Sequence, residues 1–428
     1  MKSVKPLIMV RARHAAISGG YYRTYEILKN GKLEGIDYTI VTDPLSYQNY
    51  NQMFPDFGKI LGKYKVYYVS YNNRPKIDIP VSYLSKVVMP YHHAFSWATS
   101  ISRIVQEEDV DLIVGPSEDF RMVLTSYFSG KLCRKPWSVI FTGTNALFQP
   151  TQELAPINLI NVLRHVNRKE SMKGLSLLSK SGFSIELLVL LKIAEKSLML
   201  TVSRSLCREM MFLNPRIKFH VITPGNGVDL EKTNKKAKPT PIYDGIFFSR
   251  LVPEKGILDL PKIWKLVVHK FPKAKLAIAG VIEEPSFVKC LQRELSRYNL
   301  TKNVEFLGPQ KRDSLIDLVM SSKVMVYPSI LDTFSLSVLE SLACGTPVVA
   351  YDVLAIKYNF HKCRGVLRCP VKDTASMAKK VISLLENEDL RVKLSKEAKE
   401  YASNFDWKKV VKAEKEAYFK VIEQFKSR

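Results

Sequence analysis

Short apolar runs, each followed by a stretch long enough for a helix, recur along the whole of this chain. PLIMV, YTIVT, KVYYVS, DLIVG, WSVIFTG, LMLTVS and KFHVIT occupy the first half, and DGIFFSR, AKLAIAG, NVEFLG, VMVYPS and TPVVAYD the second. A run that is apolar throughout, instead of at every other position, suits a strand covered on both faces. Strands covered in this way by intervening helices are parallel, so each half predicts its own doubly wound α/β domain. Length agrees, because 428 residues exceed what one hydrophobic core usually serves.

The two halves are separated by DLEKTNKKAKPTPIYD, which has no apolar period and reads as a linker. The expected division is 1–228 for an N-terminal domain, 229–243 for the linker, 244–404 for a C-terminal domain and 405–428 for a last helix. In that helix Trp407, Val410, Val411, Tyr418, Ile422 and Phe425 fall at helical spacing and form a stripe that needs a partner surface. A formal charge of +24 implies attraction to polyanions: nucleic acid, an anionic membrane face or phosphorylated small molecules. The six cysteines show no repeated C-x-x-C, which suits a reducing compartment. His361, Cys363 and Cys369 lack a fourth ligand at sensible spacing, so no metal site is expected there. The N-terminal apolar run is too short for a secretory signal, and none approaches the length that spans a bilayer. The chain reads as cytoplasmic.

Binding sites of parallel sheets form beyond the carboxyl ends of strands. After DGIFFS come Arg250, Lys255 and Gly256, two cations in a loop that leads into a helix. After VMVYPS come Asp332 and then Phe334, Ser335 and Leu336, where a helix is expected to begin and Gly345 to end it. Free N–H groups and the positive dipole at that helix start make an anion site suited to a diphosphate, and Glu340 can lean back toward the same mouth. Carboxylates would repel phosphates at one point, so Asp332 and Glu340 are better read as acceptors for sugar and ribose hydroxyls. The cations should dominate affinity at roughly 1.5–3 kcal/mol per charge-assisted hydrogen bond, against about 0.3–2 kcal/mol for the helix dipole. Each residue alone has a blander reading: Asp332 as a helix cap, Glu340 as a solvated helix residue, the cations as loop surface.

DTFSLSVLESLACGTPVVAYD, FFSRLVPEKGILDL, PGNGVD and ISGGYYR together resemble the family 4 retaining glycosyltransferases of the GT-B fold, whose two Rossmann-like domains face each other across a cleft. The likeness is dense from about Val221 to Asp352 and thin from about Thr24 to Ala194. It implies a hexosyltransferase-type enzyme using a nucleotide-diphosphate sugar, UDP- or GDP-linked, with a glycan or lipid-linked acceptor and no metal or other cofactor. Arg250 and Lys255 would bind the diphosphate, and Glu340 the ribose. Asp332 with the amides of Phe334, Ser335 and Leu336 would face the donor, and Gly19 and Gly20 would let backbone approach the phosphates. The family's last helix crosses back to the N-terminal domain, which would cover the Trp407–Phe425 stripe.

The sequence departs from the family at identifiable places. Asp332 stands where Glu is usual, and Ser335 where Gly is common. No histidine occupies the usual N-domain position, where Ser117, Glu118 and Thr142–Thr144 stand instead, and His14, His92 and His93 lack that context. Asp109 and Asp111 form a D-x-D, the metal and nucleotide signature of the other main glycosyltransferase fold, but read as a helix end running into a strand. Within 164–196, Arg164, Arg168, Lys169, Lys173, Lys180, Lys192 and Lys196 alternate with Leu and Ile. That stretch is a candidate contact with an anionic membrane at about 1 kcal/mol per cation, or a pair of domain helices with solvated lysines. Two other functions are open to a chain of this composition. A GT-B-shaped epimerase or hydrolase would need its own carboxylate and histidine set, and a nucleic-acid binder would need a recognition signature that is absent.

Overall fold

The computed structural model describes residues 3–12, 15, 19–69, 84–143, 185–234, 239–283 and 285–428. They form two compact units, Met1–Gly225 with Trp407–Arg428, and Asn226–Asp406. The first holds β1 (Pro6–Val10), β2 (Thr39–Thr42), β3 (Lys65–Tyr68), β4 (Leu112–Gly115), β5 (Trp137–Phe141), β6 (Leu198–Thr201) and β7 (Lys218–Val221). They make a seven-stranded parallel sheet in the order β3-β2-β1-β4-β5-β6-β7. Side chains alternate between its faces: Leu7 and Met9 join one apolar cluster, Ile8 and Val10 the other. Burial separates centre from edge, for β1, β2, β4 and β5 are buried at every residue while β3 and β7 are largely wet.

The second unit holds β8 (Tyr243–Phe248), β9 (Leu276–Ala279), β10 (Val304–Gly308), β11 (Ser322–Tyr327), β12 (Val348–Tyr351) and β13 (Val366–Cys369). These pair in parallel in the order β10-β9-β8-β11-β12-β13 around one apolar cluster. In both sheets the order reverses between the first strand and the fourth. The resulting crevice, at β1/β4 and at β8/β11, is where sheets of this topology place ligands.

Three features go beyond the sequence pattern. β13 was not foreseen, because Val366–Cys369 carries Arg368 and is too short to show an apolar run; pairing with β12 makes it a strand. Within 229–243 the described residues group with the second unit, and Leu230–Asn234 is a helix. Asp229 Oδ1 accepts from the Lys232 amide at 3.1 Å, and Thr233 is buried, two local ties that a Lys-rich composition conceals. In the C-terminal helix, Trp407–Lys426, the residues Trp407, Val410, Val411 and Tyr418 are buried, yet Phe425 is 40% exposed.

That helix packs within the first unit against Gly19–Gly31. Trp407 meets Tyr22 edge to face at 5.6 Å. Arg23 ion-pairs with Glu414, both buried, and its Nε donates to the Gly225 carbonyl at 2.9 Å. Of the basic stretch, Arg164, Arg168, Lys169, Lys173 and Lys180 lie outside the described residues, as do His14 and Thr144. Lys192 is exposed and pairs with Glu195 at 3.1 Å. No described helix is long and apolar enough to cross a membrane.

Candidate functional site

The second unit gathers its charged groups at the carboxyl ends of β8 and β11. β8 runs into a 3-10 turn, Pro253–Lys255, which Gly256 closes with φ +68°. A Cβ on Gly256 would stand 1.8 Å from the Pro328 carbonyl oxygen, so only glycine lets the two loops cross there. The amides of Ile330 and Leu331 then donate to the Glu254 carbonyl at 2.9 and 3.3 Å. These ties bring Lys255 beneath the loop that carries Asp332.

Lys255 Nζ donates to Asp332 Oδ2 at 2.8 Å, with the two side chains only 11% and 13% exposed. The Tyr327 hydroxyl, at the end of β11, donates to the same Oδ2 and lies 3.5 Å from Lys255 Nζ. Asp332 Oδ1 accepts from the amides of Thr333 at 2.9 Å and Ser335 at 3.3 Å. Burial opposes ionisation of Asp332, but Lys255 outweighs it and holds the carboxyl below its usual range. Burial likewise opposes the charge on Lys255, and Asp332 reverses that and raises it. Burial, reinforced by the carboxylate, pushes the Tyr327 hydroxyl up. Both oxygens of Asp332 are therefore committed within the protein, whereas the sequence suggested a carboxylate facing a sugar. Its side chain, one methylene shorter than Glu, is drawn inward to Lys255.

The helix Leu336–Ala343 starts directly after Ser335, a non-glycine residue at φ +69°. The Ser335 hydroxyl is buried near the Asp332 carboxylate and makes no hydrogen bond of good geometry among the described residues. Phe334 is a core anchor, edge-on to Phe360 at 5.9 Å and Phe405 at 6.2 Å, so only its backbone can serve the helix mouth. Leu336 packs partly buried on the same cluster. At the far end Gly345 takes φ +70°, its amide donating to Leu342 O at 2.9 Å and that of Thr346 to Ser341 O at 2.9 Å. That pattern is a Schellman cap.

Arg250 Nη1 pairs with Glu283 at 2.9 Å and Nη2 reaches Glu254 at 3.6 Å. Glu340 Oε1 accepts from Arg312 Nη2 at 2.7 Å. Tyr327, Glu254, Glu283 and Arg312 were not singled out from sequence. Tyr327 sits inside an apolar run, and Arg312 carries no motif, although a cation beginning a helix (Arg312–Met320) is unusual enough to have drawn notice.

In the first unit, Gly19 and Gly20 open the helix Gly19–Gly31. Glu118, beyond β4, accepts from the amides of Thr142 at 2.8 Å and Gly143 at 2.9 Å, and from the Thr142 hydroxyl at 3.2 Å. Burial nevertheless raises its pKa to about 7. His93 is lowered by burial and by the nearby cations Arg121, His92 and Arg11. Asp111 accepts from the Lys5 amide at 2.8 Å at the amino end of β4, the edge of the sheet opposite its crevice. Among the described residues no group of three or more His, Cys, Asp or Glu is placed to hold a metal ion.

Residues 229–401 match the family model described as Glycosyl transferases group 1. A D-inositol 3-phosphate glycosyltransferase of Corynebacterium efficiens is 26% identical over 200 residues, 46% of this chain and 47% of that protein. The chain thus spans about half the length of the curated relatives it matches. A crystal structure of a glycosyltransferase from Rickettsia africae superposes with a TM-score of 0.68 at 16% identity, covering 99% of this chain and 100% of that one. The Anabaena protein Alr3699/HepE, solved in complex with UDP and glucose, gives a TM-score of 0.64 at 16% identity over 99% and 100% of the two chains. The chain has the GT-B fold, with two Rossmann-like units each built on a parallel sheet.

Proposed function

We propose that this chain is a retaining glycosyltransferase of family 4 that moves a hexosyl group from a UDP- or GDP-linked sugar to a glycan or lipid-linked acceptor. One observation supports the reading: Arg250 and Lys255 follow β8, Lys255 pairs with Asp332 of the loop that follows β11, and that loop leads into the Leu336–Ala343 helix, with Glu340 little more than one turn along it. A left-handed residue followed by helical ones points successive amides the same way, which favours a bound anion.

Charge balance decides how a diphosphate would enter. Arg250, Lys255 and Arg312 each already hold a carboxylate. The Arg250–Glu283 pair is 33% and 44% exposed, so opening it costs at most about 1 kcal/mol. A diphosphate oxygen, bearing more charge, takes Arg250 readily. Lys255 has three N–H donors, of which Asp332 and Tyr327 engage two, leaving one for phosphate without breaking the buried pair. Asp332 then acts on the donor through Lys255 and through the loop it organises.

In the reaction, the acceptor oxygen forms a bond to the anomeric carbon on the face from which the diphosphate departs. The carbon–oxygen bond to the β-phosphate breaks with its electron pair, and the acceptor proton passes to a leaving phosphate oxygen. Arg250 and Lys255 stabilise the charge that accumulates on that group. No resident cofactor is invoked for these steps.

A panel of UDP- and GDP-sugars screened by thermal shift tests the donor class. A true donor at 100 times its dissociation constant should stabilise the chain by about 2.7 kcal/mol. Arg250→Ala should keep the melting temperature of the free protein and bind that donor about 10- to 100-fold more weakly. Undiminished binding by this variant removes Arg250 from the site, and no response to any member of the panel refutes the donor class.

A further inference from the structure

Among the described residues, the Glu340 carboxylate is held through Oε1. Oε1 accepts from Arg312 Nη2 at 2.7 Å, which leaves Oε2 for other donors. The guanidinium comes from the first residue of the helix Arg312–Met320, directly after Lys311. Two cations at the positive end of a helix oppose its dipole, and Asp313 in the first turn offsets only part of that. Helix stability alone therefore gives no reason for arginine at this position. The pair lines a small cavity together with the apolar Phe248, Leu315, Ile316 and Val319 and the polar Asp229 and Thr233, its own side chains 29% and 16% exposed. Apolar walls on one side keep water from competing and make the pair more rigid than an exposed one.

We infer that Arg312 is a positioning residue for nucleotide recognition: by holding Oε1 it fixes the Glu340 carboxylate so that Oε2 presents its lone pairs to the vicinal hydroxyls of a ribose. The inference rests on the proposed donor class and adds a residue that acts on the ribose only through Glu340. A glutamate free to rotate samples several orientations of its terminal carboxyl, and ordering it on binding offsets part of the hydrogen-bond gain. Arg312 removes that cost before the nucleotide arrives. Lysine cannot replace it fully, because a flexible point charge fixes the distance to an oxygen but not the plane of the carboxylate.

The test titrates the full chain calorimetrically with UDP and 2′,3′-dideoxy-UDP, and with GDP and 2′,3′-dideoxy-GDP. The wild type is compared with Glu340→Gln, Arg312→Gln, Arg312→Lys and the double variant with both glutamines. The wild type should prefer its ribose nucleotide over the dideoxy form by about 10- to 100-fold. Arg312→Gln should lose most of that preference by weakening the ribose nucleotide alone, Arg312→Lys should retain part of it, and the double variant should be no worse than Glu340→Gln. Equal weakening of both nucleotides by Arg312→Gln would show a merely structural crosslink and overturn the inference. Tighter ribose binding in that variant would show that the guanidinium competes for Glu340, and would overturn it as well. If the wild type binds neither UDP nor GDP, the donor class itself is wrong and this role falls with it.

Discussion

Replacing Ser335 by glycine should make the second unit more stable, although it deletes a buried side chain. Ser335 stands at φ +69°, a conformation that costs an L-residue roughly 1–2 kcal/mol. Its hydroxyl is buried, and its contact with Asp332 falls short of good hydrogen-bond geometry, which costs a further ~1–3 kcal/mol. Glycine removes both penalties and gives back about 0.5–1 kcal/mol through the greater freedom of the unfolded chain. The net gain is ~1–4 kcal/mol, or roughly 2–4 °C in melting temperature per kcal/mol for a unit of this size. Ser335→Ala separates the two terms, because it removes the hydroxyl and keeps the strain, and should recover only part of the gain. Urea denaturation of the three proteins, with equal slopes, measures the differences directly. A midpoint for Ser335→Gly at or below that of the wild type would refute the reasoning and mean that the turn is held in place without strain. Strain of this kind persists where a site gains from it, so the glycine variant should also show weaker nucleotide binding if the hydroxyl reaches a phosphate.

Three further perturbations follow from the same geometry. Gly256→Ala puts a methyl group 1.8 Å from the Pro328 carbonyl at positive φ and should cost roughly 3 kcal/mol or more, seen as a fall in the denaturation midpoint. Lys255→Ala leaves Asp332 charged and buried and should destabilise by about 3–5 kcal/mol, whereas Lys255→Ala with Asp332→Asn should regain much of that in the same assay. Glu118 has its folded pKa raised from 4.5 to about 7, so between those values the folded state binds more protons than the unfolded one. Its contribution is therefore present at pH 4.5 and is lost as pH rises to about 7. Glu118→Gln should flatten the corresponding drop in melting temperature between pH 5 and pH 7.5, and an unchanged slope would assign the drop to other groups.

What could be read from the amino acids was whatever is written in local pattern. Runs such as PLIMV and LIVG had to be strands because no other element buries every residue of so short a stretch. Gly345 announced the end of its helix because few other residues accept φ +70°. The positions of Arg250, Lys255 and Glu340 followed from their distance beyond a strand. Partnership was not legible. That Asp332 turns to Lys255 and Tyr327, 77 and 5 residues away, is decided by side-chain length and by the crossing of two loops. Arg312 meets Glu340 across 28 residues, and nothing near either in sequence announces the other. Edge strand β13 and the Leu230–Asn234 helix were missed for the same reason, since each owes its form to neighbours supplied by the tertiary fold.

The first unit is not continuous along the chain: its sheet uses residues up to Val221, while Trp407, Val410, Val411 and Tyr418 complete one of its apolar clusters. A ribosome delivers these pieces with the entire second unit between them. The Arg23–Glu414 pair, 391 residues apart, can close only after the whole second unit has been made. Removing Trp407–Arg428 would strip a wall from that cluster instead of trimming an appendage.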